Sequence, residues 1–156
     1  MNSGLLVPLS VVETTLRELR DAGARRSECL VLWLGVRSAR GVEVDEALVP
    51  TQVAAIDYFR LPRESILEIL DLLRSRGGFI AAQVHSHPEE AFHSAADDAW
   101  AIVRHVGALS LVLPRFAIDT SPENFLENVA VFSLSPSNKW EQVPQGQVAA
   151  TIRVIA

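Results

Sequence analysis

The chain has 156 residues, 49% of them apolar and 21% charged, with a net charge of −5. This excludes a disordered chain and predicts one domain, residues 1–156, with enough apolar surface for a substantial core. No run approaches the roughly 20 apolar residues of a membrane span, and the acid balance argues against a nucleic-acid binder, which needs a basic stripe.

Met1–Thr15 lacks the basic start of a secretory signal, the first arginine being Arg17. One cysteine, Cys29, excludes an internal disulfide and fits a reducing compartment, so a cytoplasmic protein is expected.

In chain order, Ser10 is placed to cap a helix that carries Val12, Leu16 and Leu19 on one face and ends near Gly23. Arg20, Arg25 and Arg26 form the one basic cluster, at a helix-to-strand junction. Glu28–Gly35 is an apolar run of strand length, in which Cys29 reads as a small buried hydrophobe rather than a nucleophile. A turn through Ser38–Gly41 leads to a second strand, Val42–Val49, and residues 51–61 show no clear pattern. Pro62 opens the next helix, with Ile66, Ile69, Leu70 and Leu73 inward and Gly77-Gly78 as its stop. Phe79–Val84 is a buried strand. After Ser94, the residues Ala96, Ala99, Trp100, Val103 and Val106 share one face of a helix. Leu109–Leu113, Val129–Leu134, a short piece near Trp140 and Thr151–Ile155 complete the strands. The order suits an α+β domain with a mixed sheet between helices.

The stretch that carries chemistry is His85-Ser86-His87-Pro88, followed by Ser94-x-x-Asp97. Side chains at i and i+2 of a strand point to one face, so His85 and His87 can converge on one metal, with Asp97 as a third ligand. Three protein ligands leave the fourth tetrahedral position to water, the mark of a catalytic zinc site. Zinc lowers the pKa of such a water from about 15.7 toward roughly 7, which gives a nucleophile for hydrolysis. Ser94-x-x-Asp97 is also a helix-capping pattern, and capping is compatible with ligation. Glu28, at the mouth of its strand, is the candidate general base.

These residues resemble the JAMM (MPN+) metalloproteases. The family carries a Glu on an early strand, then His-x-His, about seven residues, Ser, two residues and Asp. Glu28 stands seven positions before Gly35, as in the family's Glu-x-x-Gly-x-Leu-x-Gly strand, with Val31 replacing the first glycine. His85-Ser86-His87-Pro88 matches its His-Ser/Thr-His-Pro. Six residues separate His87 from Ser94 where seven are usual. An Ala95-x-x-Asp98 register restores seven but loses the serine, whereas the Ser94–Asp97 register keeps both side chains.

The resemblance implies a JAB/MPN-like (cytidine-deaminase-like) fold, a zinc ion on His85, His87 and Asp97, Glu28 as general acid/base, and Ser94 orienting water or stabilising an oxyanion. His93 is then a neighbour of the metal rather than a ligand, and Ser86, on the opposite strand face, has no catalytic part. The implied activity is that of a zinc isopeptidase or peptidase cutting after the C-terminal tail of a ubiquitin-like or sulfur-carrier protein, with a ubiquitin-activating-like enzyme in the same pathway. The segments 50–61 and 114–128 are candidates for substrate selection. Two alternatives stand beside it: a zinc hydrolase of the same fold acting on another amide, and a non-catalytic MPN-type interaction domain.

Overall fold

The central strand explains the uninterrupted apolar run. In the computed structural model, which describes residues 4–94, 97 and 101–156, β2 (Leu30–Ser38) is buried from Leu30 to Gly35 because layers cover both faces of the sheet around it. The sheet has eight strands: β1 (Leu5–Pro8), β2, β3 (Gly41–Leu48), β6 (Phe79–Ser86), β7 (Leu109–Leu113), β8 (Ala130–Leu134), β9 (Trp140–Gln142) and β10 (Ile152–Ile155). Their spatial order is β10-β1-β3-β2-β6-β7-β8-β9. The pairs β1–β10, β1–β3 and β6–β7 are parallel and the rest antiparallel, which makes the sheet mixed. A two-stranded hairpin, β4 (Val53–Ala54) with β5 (Phe59–Arg60), fills part of the segment 51–61.

Helix α1 (Leu9–Ala24) covers one face, packing Val12, Leu16 and Leu19 against Val31, Trp33, Val84 and Leu111. Thr15 fastens it: its hydroxyl donates to the Val11 carbonyl at 2.8 Å and accepts from the Trp33 indole N–H at 2.8 Å. Ser10 does not cap this helix. Pro8 occupies the cap position, since its fixed φ suits a helix entry, and no side chain caps the start.

Helix α2 (Arg63–Arg76) lies on the opposite face, where Ile69, Leu72 and Leu73 meet Leu30, Leu32 and Leu34. Pro62 is its N-cap, and Gly77 and Gly78 stop it with φ of 83° and 86°. Ile66 and Leu70, expected inward, are 37% and 49% exposed, because the stripe that meets the sheet is centred on Ile69 and Leu73.

Beyond Asp97, which is helical, the expected helix does not reach Val103 and Val106: residues 101–108 are not helical. Val103 is buried against Ala108 and Leu134, whereas Val106 is 65% exposed. Ala96, Ala99, Trp100 and Asp98 lie outside the described residues. Two short helices lie after β7 among the described residues, α3 (Phe125–Asn128) and α4 (Gln145–Thr151). No helix among the described residues is long and apolar enough to cross a membrane.

Candidate metal centre

His85 and His87 project from the C-terminal end of β6 onto the face that carries α2, since His85 lies opposite Leu30 of β2. Their Nε2 atoms are 3.2 Å apart, and Asp97 Oδ2 is 3.2 Å from the first and 3.1 Å from the second. The three side chains are buried. Zinc ligands at 2.0–2.1 Å in a tetrahedron have edges of about 3.3 Å, so this near-equilateral triangle already has the spacing that a small cation requires.

The donor chemistry agrees. Two imidazole nitrogens and a carboxylate oxygen face one another without enough protons to bond all three edges. Nδ1 of His85 has no hydrogen-bond partner among the described residues, so this fully buried ring has its polar contacts only within the cluster. Burial lowers the His85 pKa, which keeps the ring neutral and ready to ligate. Burial opposes charge on Asp97 as well, but hydrogen bonds from both histidines and from the Ser94 backbone hold its carboxyl well below the usual range. His87 is also penalised by burial, yet its bond to Asp97, with the charges of Asp97 and Glu28, moves its pKa upward. A divalent cation would take the place of that proton.

Ser94 and Asp97 are tied reciprocally. The Ser94 N–H donates to Asp97 Oδ2 at 2.8 Å, and the Asp97 N–H donates to Ser94 Oγ at 3.0 Å. This is the capping arrangement expected from the sequence, and it aims the carboxylate at the histidines.

Glu28 precedes β2 rather than opening it, since the ladder begins at Leu30 and the Glu28 N–H donates to the Ala55 carbonyl at 2.7 Å. It is 4% exposed and lines a cleft of about 260 Å³ with Asp57, His87, Phe92 and Ser94. Burial pushes its pKa up to about 7, with His87 opposing and the negative charges of Asp97 and Asp57 adding to the rise. A carboxyl near 7 is suited to taking and returning a proton at neutral pH. Cys29, next to it, is buried, and its thiol is pushed up to about 11 by burial first, which makes it a poor nucleophile.

Two supports escaped the sequence. Gln52, in the unpatterned segment, acts as a substitute strand edge for β2: its Oε1 accepts from the Leu30 N–H at 2.7 Å, and its Nε2 donates to the Leu30 carbonyl at 3.0 Å. Phe59 covers His85 with ring centroids 5.0 Å apart. An amide-bearing residue between two structural breaks could have marked the first, while nothing local distinguishes the second.

The backbone of His87 is held by an unusual turn. Arg115, Phe116 and Ala117 all have left-handed φ, from 51° to 60°, which L-residues rarely adopt in succession. The turn aligns donors with the loop: His87 N–H to the Leu113 carbonyl at 2.9 Å, Phe116 N–H to the His87 carbonyl at 2.8 Å and Arg115 N–H to the Glu89 carbonyl at 2.9 Å. Arg20 of α1 satisfies the far side by donating to the Ala117 carbonyl at 3.1 Å and to the Thr120 carbonyl. Gly23 gives Phe116 room, since a β-carbon there would lie 2.3 Å from that of Phe116. The arginine cluster of the helix-to-strand junction is thus partly structural.

No family model matches the chain. Among solved structures it resembles the solution structure of protein DSY2949 from Desulfitobacterium hafniense, with a TM-score of 0.68 at 17% identity over 97% of this chain and 92% of that one. It also resembles the solution structure of a protein from Salinibacter ruber, with a TM-score of 0.50 at 18% identity over 83% and 85%. These likenesses concern the fold. A sequence relative is closer: the probable metalloprotease y4jG of Sinorhizobium fredii is 33% identical over 152 residues, 95% of this chain and 92% of its own length. That identity over nearly the whole of both chains, together with a buried His–His–Asp cluster spaced for a cation, places the chain in the metalloprotease family to which y4jG belongs.

Proposed function

We propose that the chain is a JAMM/MPN+-type zinc isopeptidase or peptidase, with a JAB/MPN-like fold in a single domain of residues 1–156. The observation that supports it most is the convergence of His85, His87 and Asp97 beside a buried Glu28 with a pKa near 7. In this reading His85, His87 and Asp97 hold zinc, which when bound acidifies water and polarises the scissile carbonyl. Glu28 removes a proton from the attacking water and delivers it to the leaving nitrogen. Ser94 offers its hydroxyl to the developing oxyanion from the cleft wall.

The substrate in this reading is a ubiquitin-like or sulfur-carrier protein conjugate whose extended C-terminal tail lies in the cleft, with a ubiquitin-activating-like enzyme acting in the same cytoplasmic pathway. The two segments singled out for substrate selection both border the site. Asp57 lines the metal cleft, and Pro114, Arg115, Asp119 and Asn128 line an adjoining depression of about 500 Å³ that shares Glu89 and Glu90 with it. Hydrolysis of a ubiquitin-like fusion and of small acyl amides by the zinc-loaded protein, with and without chelator, tests the proposal. Chelator-sensitive cleavage of the fusion after its tail is expected. Cleavage of the small amides alone would transfer the reading to another amide hydrolase, and no cleavage of either would favour an interaction domain.

A further inference from the structure

Three polar side chains on the metal-bearing face have no part in the proposed chemistry. Gln83 is 1% exposed, Ser110 is fully buried and His93 is half-buried. Gln83 lies two residues before His85 on β6 and pairs with Ser110 across the parallel β7, in the row next to His85 and Val112. A buried amide is costly unless its polar atoms are bonded, and an apolar residue would fill the same space without that cost. Its bonds therefore indicate what it holds.

They hold both sides of Asp97. Gln83 Nε2 donates to Ser110 Oγ at 3.0 Å, and Ser110 Oγ lies 3.0 Å from His93 Nε2. The hydroxyl, receiving the amide N–H, has its own hydrogen for the imidazole nitrogen. His93 immediately precedes Ser94, the residue bonded reciprocally to Asp97, and its ring packs in tilted contacts against Trp140 of β9 and Phe132 of β8 at centroid distances of 5.0 and 5.1 Å. On the far side of Asp97, Gln83 Oε1 accepts from the backbone N–H of Ile102 at 3.1 Å and of Val103 at 3.5 Å. One side-chain amide thus fixes the chain before Asp97 through Ser110 and His93, and after Asp97 directly.

We infer that Gln83, Ser110 and His93 are positioning residues that clamp the Asp97 segment onto the sheet and so set the carboxylate at its distance from the two histidine nitrogens. The inference rests on the reading of His85, His87 and Asp97 as metal ligands. The clamp is built from the strand that bears the histidines, so ligands distant in sequence are referred to one frame. A purely structural role for the same bonds would lower the stability of the metal-free protein and leave the metal affinity of the folded protein unchanged.

The test is a zinc titration of the metal-free protein against a chromophoric chelator, with thermal unfolding of the metal-free forms and visible spectra of cobalt-loaded forms measured alongside. Removing an outer partner of a ligand typically weakens metal binding by roughly 10- to 100-fold. Gln83→Leu, which frees both ends, is expected at the upper part of that range. Ser110→Ala and His93→Phe, which cut only the first arm, are expected near its lower part. The phenylalanine keeps the ring packing, so it remains informative if Gln83→Leu does not fold. Ser110→Thr, which restores the hydroxyl, should bind zinc close to wild type and keep the cobalt spectrum. Variants that melt earlier yet bind zinc with wild-type affinity would overturn the clamp. A wild-type protein that takes up neither zinc nor cobalt would overturn the metal reading itself, and the clamp with it.

Discussion

Cys29 and Ser86 are joined twice: the Cys29 N–H donates to the Ser86 hydroxyl at 3.2 Å, and the Ser86 N–H donates to the Cys29 carbonyl at 3.3 Å. Ser86 separates the two histidines and Cys29 follows Glu28, so this pair fixes the candidate base relative to the candidate ligands. The hydroxyl on the strand face away from the metal thus has a structural use. Ser86→Ala leaves the buried Cys29 N–H without its acceptor, which costs about 1–3 kcal/mol. Denaturant unfolding should show that loss. Turnover should also fall while zinc content stays, since His85 and His87 are untouched.

Asp97 Oδ2 meets the Nε2 atoms of both histidines. Asp97→Asn should therefore lose zinc affinity and activity, while Asp98→Asn should keep both. Ser94→Ala should keep the metal and lose turnover. Zinc content and rate for the three variants check this, and the opposite ranking of the aspartates would indicate the seven-residue register.

Glu28 gives a pH signature. Its pKa rises from 4.5 to about 7 on folding, chiefly through burial. Between those values the folded protein binds more protons than the unfolded one, so this group's stabilising contribution is present below about pH 4.5 and lost as pH rises through about 7. Unfolding of the metal-free protein at a series of pH values should show that slope removed in Glu28→Gln. Zinc should remain in the loaded variant, with turnover down about 10²- to 10⁴-fold. Wild-type turnover, or metal loss as the main defect, would contradict the assignment.

Gly35 is required by a close approach. A β-carbon there would lie 2.4 Å from the Glu43 carbonyl oxygen, beside the irregularity where β2 and β3 shift register. Gly35→Ala should cost about 1–3 kcal/mol, the usual range for overpacking, measured by denaturant unfolding.

The site was more legible in the sequence than the frame around it. His85 and His87 are set by strand periodicity and Ser94-x-x-Asp97 by capping chemistry, both local rules. Strand β1 is not legible in the sequence because four residues ending in proline read as a lead-in to α1, and its pairing with β3 and β10 is long-range. The helix Gln145–Thr151 is not legible because seven residues carry little periodic signal. Ile66 and Leu70 read as inward because the apolar residues of this helix offer two stripes, and only the packed sheet selects the one through Ile69. Gln52 and Gln83 carry no motif at all. Their use appears only when distant strands are brought together.

Zinc stoichiometry tests the central claim most directly. Elemental analysis of gently purified protein should give about one zinc per chain, with the metal lost when either His85 or His87 is replaced by alanine. A protein without metal that gains no activity on adding zinc would contradict the account, as would full zinc and full activity in both alanine variants.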